Sequence, residues 1–312
     1  VQAQNYPFTL RQLQYLVAVA EHGSFRKAAQ ACHVAQPSLS AQVAQVEDAI
    51  GVQIFRRETR RVTVSAAGEV LLERARTLLG MAQHFSDDAV RLADPLAATL
   101  RIGVIPTIAP YFLPEVTLSL HKTFPKMSWY WREEKTAELL EGLAQGTIDA
   151  ALVAWTSEMV ELEHVKLGDD PFVLACSREH VLGQSSESVR LRELDGQDVL
   201  LLDDGHCLRE QALTYCQRAG TQELGLRATS LPTLVQMVAS GQGVTLLPLL
   251  ATPIENRNGY LNLRRFTAPE PVRTLALVWR KRAPFREVLR KVGGHLRGAY
   301  LVWLRAVESQ SG

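Results

Sequence analysis

Two of the four cysteines in this 312-residue chain fall in one segment, Gly205-His206-Cys207-Leu208-Arg209-Glu210-Gln211-Ala212-Leu213-Thr214-Tyr215-Cys216. Thiols serve as nucleophiles, as metal ligands or as partners in a disulfide. Leu208, Ala212, Leu213 and Tyr215 recur near helical spacing, so the segment is expected to form a helix. A helix rises about 1.5 Å per residue, which sets the two Cα atoms roughly 13 to 14 Å apart; a disulfide needs them within about 7 Å. If the helix forms, the thiols bond only when it unwinds. Either that separation is incidental, or it is the basis of a switch. A metal site from His206, Cys207, Cys216 and a fourth ligand is conceivable, but the spacing fits no common zinc pattern, and no metal or other cofactor is expected. Cys32, and Cys176 within Val173-Leu174-Ala175-Cys176, read as small core side chains.

Composition bounds what can surround these thiols. A formal net charge of +1 announces neither nucleic acid nor a membrane surface, so any charged surface must be local. Four cysteines make no disulfide framework, and paired CxxC motifs are absent. Residues 1–10 lack the basic start and apolar stretch of a secretory signal, and no apolar run approaches the roughly 18 to 20 residues of a membrane span. The expectation is a soluble, cytoplasmic protein, in a compartment where thiols are normally reduced, with room for two or three compact units.

Residues 1–65 read as three short helices and a hairpin. Leu10, Leu13, Leu16, Val17 and Ala20 mark one helix face ending at Gly23; Ser24 suits an N-cap for a second helix carrying Phe25, Ala28, Ala29 and Cys32 inward. Pro37 fits the first turn of a third helix that buries Leu39, Val43, Val46 and Ile50 and stops at Gly51. This is the pattern of a helix-turn-helix. On the opposite face of the third helix, Ser38, Gln42 and Gln45 align, and uncharged hydrogen-bonding side chains suit base edges in the major groove. Two β-prone runs then flank Arg56, Arg57, Arg60 and Arg61, a wing suited to phosphate. Residues 1–68 hold seven Lys/Arg against four acids, an excess concentrated in that wing. A helical subdomain with a solvated basic hairpin has the same composition.

Leu71, Ala75, Leu78, Ala82, Phe85, Ala89 and Leu92 recur at steps of four and three with no proline before Pro95. Such an a/d seam favours a homodimer through a coiled coil over residues 66–94, although one amphipathic helix on its own domain carries the same stripe. Beyond it, strand-like runs at 99–105, 127–132, 148–154, 172–175, 199–202, 226–229, 244–247 and 272–279 alternate with helical stretches at 111–123, 136–145, 207–219 and 231–240. A long helical pattern closes the chain at 285–307. The alternation implies α/β architecture with largely parallel sheets. Ligands of such sheets sit at the carboxyl ends of the strands, where Ile105-Pro106-Thr107, Ala228-Thr229-Ser230 and the cysteine segment would meet.

Phe25-Arg26-Lys27-Ala28-Ala29, Gln36-Pro37-Ser38-Leu39-Ser40, Glu47-Asp48, Gly51, Ile54-Phe55-x-Arg57 and Ser65-Ala66-Ala67-Gly68 together resemble the LysR-type transcriptional regulators. The family more often has Thr at the position of Ser65 and Leu at that of Val46. The resemblance implies an all-α winged helix-turn-helix in residues 1–65 that binds double-stranded promoter DNA through Gln36, Pro37, Ser38, Ser40, Gln42 and Gln45 and the four wing arginines. It implies a linker helix in 66–94 and a periplasmic-binding-protein-like effector half. There, two Rossmann-like subdomains, 95–168 with 276–312 and 169–275, are joined by two crossover strands.

The likeness narrows further at Gly205-His206-Cys207-Leu208-Arg209, Gln211-Ala212 and Cys216, which resemble the redox segment of the family's hydrogen peroxide-sensing branch. Ile105-Pro106-Thr107, Thr123-Phe124-Pro125-Lys126, Ala228-Thr229-Ser230-Leu231 and Leu246-Leu247-Pro248 extend it over almost the whole chain. It implies an activator, not an enzyme, with Cys207 as the peroxide-reactive thiol and Cys216 resolving its sulfenic acid to a disulfide. Amide dipoles at a helix start favour an anion, which suits the position of Cys207. Thr107, Thr136, His206 and Arg273 are implied to position peroxide, with Arg273 offsetting negative charge. A homotetramer and contact with RNA polymerase are implied as well. The competing readings are a LysR-type regulator of a small metabolite with incidental cysteines, a thiol peroxidase on this scaffold, and a solute-binding protein.

Overall fold

In the computed structural model, which describes residues 6–57, 62–93 and 99–310, α1 (Leu10–His22) starts at a capping box. The Thr9 hydroxyl accepts from the Gln12 N–H, and the Gln12 side chain accepts from the Thr9 N–H. Gly23, at φ 57°, ends the helix. Ser24 caps α2 (Phe25–Ala31) by accepting from the Lys27 N–H, and α3 (Gln36–Ile50) carries Pro37 in its first turn and closes at Gly51. Leu13, Leu16, Val19, Ala28, Ala29, Leu39, Val43 and Val46 form one buried core. Ile50, in the last turn of α3, and Cys32, at the C-cap of α2, are only half-buried. The wing pairs β1 (Phe55–Arg57) antiparallel with β2 (Val62–Val64). Glu47 fastens it to α3, its Oε1 accepting from the Ile54 and Phe55 N–H groups at 2.7 and 2.9 Å.

Ser65 starts α4 (Ala66–Ala93): its hydroxyl accepts from the Gly68 N–H at 2.9 Å and donates to the Gln53 carbonyl at 2.7 Å. The heptad seam divides along this helix. Leu72 and Ala75 are buried against the N-terminal core with Leu71 beside them, so the first turns are held by their own unit. Leu78, Met81 and Phe85 are 41%, 55% and 79% exposed. The side chain of Leu92 lies outside the described residues.

Contacts divide the chain into two units, Val1–Ala89 and Val90–Gly312. In the second, β3 (Thr99–Val104), α5 (Ala109–Thr123), β4 (Ser128–Glu133), α6 (Thr136–Gln145) and β5 (Ala150–Ala154) alternate as expected. Then comes β6 (Leu162–Ser177), far longer than the run at 172–175 seen in the sequence. After it follow β7 (Asp198–Leu202), α7 (Cys207–Ala219), β8 (Gln222–Ala228), α8 (Leu231–Ala239), β9 (Val244–Pro248), α9 (Thr252–Glu255), β10 (Leu261–Arg265), β11 (Val272–Arg280) and α10 (Arg286–Gln310). The strand order is β4-β3-β5-β11-β6-β9-β7-β8, with β10 also against β6.

This sheet is mixed where a largely parallel one was expected. β3 is parallel to β4 and β5, and β7 to β8 and β9. β6 and β11 run antiparallel to their partners. The cause is that β6 serves both halves: residues 162–171 run along β11, all but Leu167 paired with it, and from Phe172 onward the strand pairs with β9 and β10. Gly168-Asp169-Asp170-Pro171, although rich in turn-forming residues, lies within this strand. β10 escaped notice because Leu261-Asn262-Leu263-Arg264-Arg265 is short and polar.

Gly68 lets α4 approach the wing closely. A Cβ there would run into the Ile54 carbonyl and come within 3.0 Å of Ile54 Cγ2 and Val64 Cγ1, whereas one on Gly80 of the same helix meets nothing within 4 Å. Gly68→Ala is therefore expected to destabilise the N-terminal unit by about 1–3 kcal/mol. Gly80→Ala is expected to be neutral or stabilising by up to about 1 kcal/mol. Urea denaturation followed by circular dichroism measures both; equal midpoints for the two variants would contradict this packing.

Candidate redox site

Strand β7 leads into Asp203-Asp204-Gly205-His206, and α7 begins at once. Gly205 has φ 85°, left-handed backbone that glycine adopts without steric cost; His206 then returns to extended backbone as N-cap, and Cys207 is the first helical residue. The turn is pinned from two sides. Lys135 donates to the Asp204 carbonyl at 3.0 Å. Arg209, 8% exposed, donates to Asp204 Oδ1 at 2.9 Å and in a fork to both Glu223 oxygens at 2.8 and 3.1 Å. Arg227 reaches Asp204 Oδ2 at 2.6 Å. These ion pairs tie the start of α7 to β8.

Three chain segments close a small cavity against Cys207: Ile105-Pro106-Thr107 beyond β3, Lys135-Thr136 at the start of α6, and Gly205-His206-Cys207-Leu208. Its volume is about 10 Å³, room for roughly one water-sized molecule. The N-termini of α6 and α7 both meet there, and the partial positive charge of each favours negative charge between them. The Thr136 hydroxyl is buried and has no hydrogen-bond partner among the described residues. Burial and the charge of Lys135 pull the His206 pKa down, against a hydrogen bond with the Thr229 backbone and the carboxylates of Asp203 and Glu138, which favours the neutral ring.

Thr107, Thr136, His206 and Cys207 thus share one cavity, but Arg273 does not line it. Its guanidinium lies one step behind. It donates to Thr107 Oγ1 at 2.7 Å and to the Thr107 carbonyl at 3.0 Å, while its Nε pairs with Asp170 at 2.9 Å. Both charged side chains are fully buried, and Asp170 also accepts from the Leu250 N–H at 3.0 Å. The expectation that Arg273 meets negative charge directly is replaced by contact through Thr107. A threonine hydroxyl has one proton and two lone pairs; with one lone pair taken by Arg273, its proton is free to point elsewhere. Thr107 and His206 also line a larger neighbouring cleft of about 560 Å³, together with Thr229 and Ser230. The three segments expected at the strand ends do meet there.

Cys207 and Cys216 both lie in α7, and neither is in a disulfide. Cys216 is 1% exposed and does not line the cavity. Burial pushes its thiol pKa up to about 11, with the Glu223 carboxylate adding and the Thr221 hydroxyl opposing. Between the cysteines, the Tyr215 hydroxyl donates to the Val272 carbonyl at 3.1 Å and accepts from the Val272 N–H at 3.3 Å, next to Arg273. Asp170 and Lys135 were not singled out in sequence, and Tyr215 was read only as an apolar position of the helix. Asp170 and Arg273 are 103 residues apart, and no local pattern signals such a pair. Cys176 is buried beside the Asn262 carbonyl.

In the N-terminal unit, Gln36, Pro37 and Ser38 at the start of α3 are exposed and Ser40 is half-buried. Gln42 and Gln45 are both engaged by Gln12 of α1, whose Nε2 donates to their Oε1 atoms at 2.9 and 3.3 Å. Arg56 is exposed on the wing. The Arg57 side chain, and Arg60 and Arg61, lie outside the described residues.

Comparison with known proteins matches residues 10–69 to the lysR-family bacterial regulatory helix-turn-helix proteins and residues 93–300 to the LysR substrate binding domain. The hydrogen peroxide-inducible genes activator of Dickeya chrysanthemi is 41% identical over 304 residues, spanning 97% of this chain and 99% of its own. The DNA-binding transcriptional dual regulator OxyR of Escherichia coli K12 is 42% identical over 278 residues, 89% of this chain and 91% of its own. Among solved structures, a cysteine-to-serine mutant of Corynebacterium glutamicum OxyR bound to hydrogen peroxide aligns with a TM-score of 0.66 at 33% identity, covering 98% and 97% of the two chains. On the helix-turn-helix, the substrate-binding fold and relatives aligned end to end, the chain belongs to the LysR family of bacterial regulators and, within it, to the OxyR branch.

Proposed function

We propose that this chain is a cytoplasmic DNA-binding regulator that senses hydrogen peroxide through Cys207 and answers by forming a Cys207–Cys216 disulfide. The observation that carries the reading is the small cavity beside Cys207. It has room for one very small polar molecule, is lined by Thr107, Thr136 and His206, and holds a buried hydroxyl with no hydrogen-bond partner among the described residues. The peroxide-bound OxyR structure among its relatives supports the choice of guest.

In this mechanism the Cys207 thiolate attacks one peroxide oxygen. The O–O bond breaks, and the departing hydroxide takes up the thiol's proton to leave as water. Cys207 becomes a sulfenic acid, oxidised by two electrons. Thr107 and Thr136 hydrogen-bond the peroxide oxygens, and neutral His206 offers a ring nitrogen. Arg273 acts through Thr107, biasing that hydroxyl to donate into the cavity. Once α7 unwinds, the Cys216 sulfur attacks Cys207, expelling a second water. Because Cys216 is buried in the intact helix, this second step waits on the opening of α7.

The output runs through DNA. Gln36, Pro37, Ser38, Ser40, Gln42 and Gln45 read base edges, and Arg56, Arg57, Arg60 and Arg61 grip phosphate. Residues 1–65 form the reading head and 66–94 the dimerising linker, where exposed Leu78, Met81 and Phe85 find their cover in a second copy. Residues 95–168 with 276–312, and 169–275, are the two effector subdomains. A homotetramer that contacts RNA polymerase completes the reading.

Cys207→Ser is expected to abolish the peroxide response in a transcription assay while leaving operator binding within about twofold. Cys216→Ser is expected to trap a sulfenic acid visible to a dimedone probe; a disulfide to Cys207 in that variant would remove Cys216 from the resolving role. Since folding raises the Cys216 pKa, native protein favours its neutral thiol. Its alkylation by iodoacetamide, followed by peptide mass spectrometry, is expected to climb only as pH approaches about 11. In urea the climb centres near the ordinary thiol value of about 8.5. Matching profiles would contradict the buried state of this thiol.

A further inference from the structure

The capping box at the start of α1 has a second consequence on α3. A backbone N–H is always a donor, so the 2.8 Å bond from the Thr9 N–H fixes Oε1 as the Gln12 atom that faces it. The Thr9 hydroxyl donates to the same oxygen at 3.1 Å. The other end of this 7%-exposed amide is therefore an NH₂ group with two protons to place. It places them on Gln42 Oε1 at 2.9 Å and Gln45 Oε1 at 3.3 Å. Amide rotamers elsewhere are chosen by whichever network suits; this chain of bonds leaves no choice, because each link inherits its polarity from one peptide N–H.

We infer that Gln12 is a specificity-determining residue: it turns the oxygens of Gln42 and Gln45 toward α1 and leaves their NH₂ groups to face DNA. A free glutamine pairs with adenine in a bidentate manner, accepting from N6 and donating to N7. Two glutamines presenting donors alone favour bases whose major-groove edge offers acceptors without an adjoining donor, guanine through O6 and N7 and thymine through O4, over cytosine, which offers an amino donor alone, and adenine, whose N7 acceptor sits beside its N6 amino group. Gln12 touches no base; it acts by polarity. The inference rests on α3 being the helix that reads DNA.

The test is selection of bound duplexes from a randomised pool by the full-length protein, sequenced for wild type, Gln42→Ala, Gln45→Ala and Gln12→Glu. Glutamate preserves the capping box, since one oxygen still accepts from Thr9, but its other oxygen can only accept, so both glutamines must reverse. At the positions whose preference the two alanine variants erase, wild type is expected to select guanine or thymine. Gln12→Glu is expected to shift that selection fivefold or more toward adenine or cytosine. Identical selection by wild type and Gln12→Glu overturns the inference while leaving α3 as the reader. Unchanged selection in both alanine variants overturns the reading of α3 at these residues, and the inference with it. Should Gln12→Glu fail to fold, Gln12→Leu frees both amides and is expected to admit adenine at the same positions; retained exclusion of adenine overturns the proposal.

Discussion

A charge buried without a partner is among the costliest defects a fold can hold, and the second unit of this protein is arranged around avoiding it. Arg273 and Asp170 are both fully buried and bonded at 2.9 Å. Removing either partner of such a pair costs about 3–5 kcal/mol. The pair joins the two strands that cross between the halves of the sheet, β11 and β6, at the register Arg273↔Asp170. Its spare donors hold Thr107, and its spare acceptor holds the Leu250 N–H beyond β9. The strand pairing, the Thr107 wall of the cavity and the segment after β9 thus rest on one ion pair.

Against that fixed point, α7 is a conditional structure. Its start is secured by side chains, the Arg209 fork and the Lys135 bond, and its middle by Tyr215 on the Val272 backbone. Its regular rise keeps two thiols apart that a bond would have to bring together. Closing a loop of this size restricts the chain by roughly 2–3 kcal/mol in the entropy model. That cost adds to the interactions lost if the helix opens, so on the proposed reading both must be met by thiol oxidation, where each 30 mV is about 1.4 kcal/mol.

Much of this was legible in the sequence because it is local. Helix stops at Gly23 and Gly51, the cap at Ser24, and the clustering of His206 with Cys207 depend on residues a few positions apart. What was missed depends on distant partners. Arg273 was read as facing the site, and only the fold reveals that Asp170 and Thr107 already claim its donors. β6 hid behind an acidic stretch containing Gly168 and Pro171, because burial of Asp170 there makes sense only once Arg273 is opposite. Gln42 and Gln45 were read as unattached polar residues on one helix face, since nothing in α3 announces a glutamine on α1. The heptad stripe of α4 divides between its own unit and open surface, a distinction periodicity alone does not contain.

The two helix N-termini that converge on the cavity have an asymmetric fate. In the proposed mechanism the end of α6 is untouched, whereas the end of α7 belongs to the helix that must unwind for the cysteines to join. On the proposed reading, the first chemical step uses the summed field of both ends and the second dismantles half of it. The device consumes its own trigger: a protein that has fired no longer offers the surroundings in which it fired, and regains them only after an outside reductant gives its electrons back. It counts once per reset, so its oxidised fraction tracks the contest between peroxide and reductant in its surroundings.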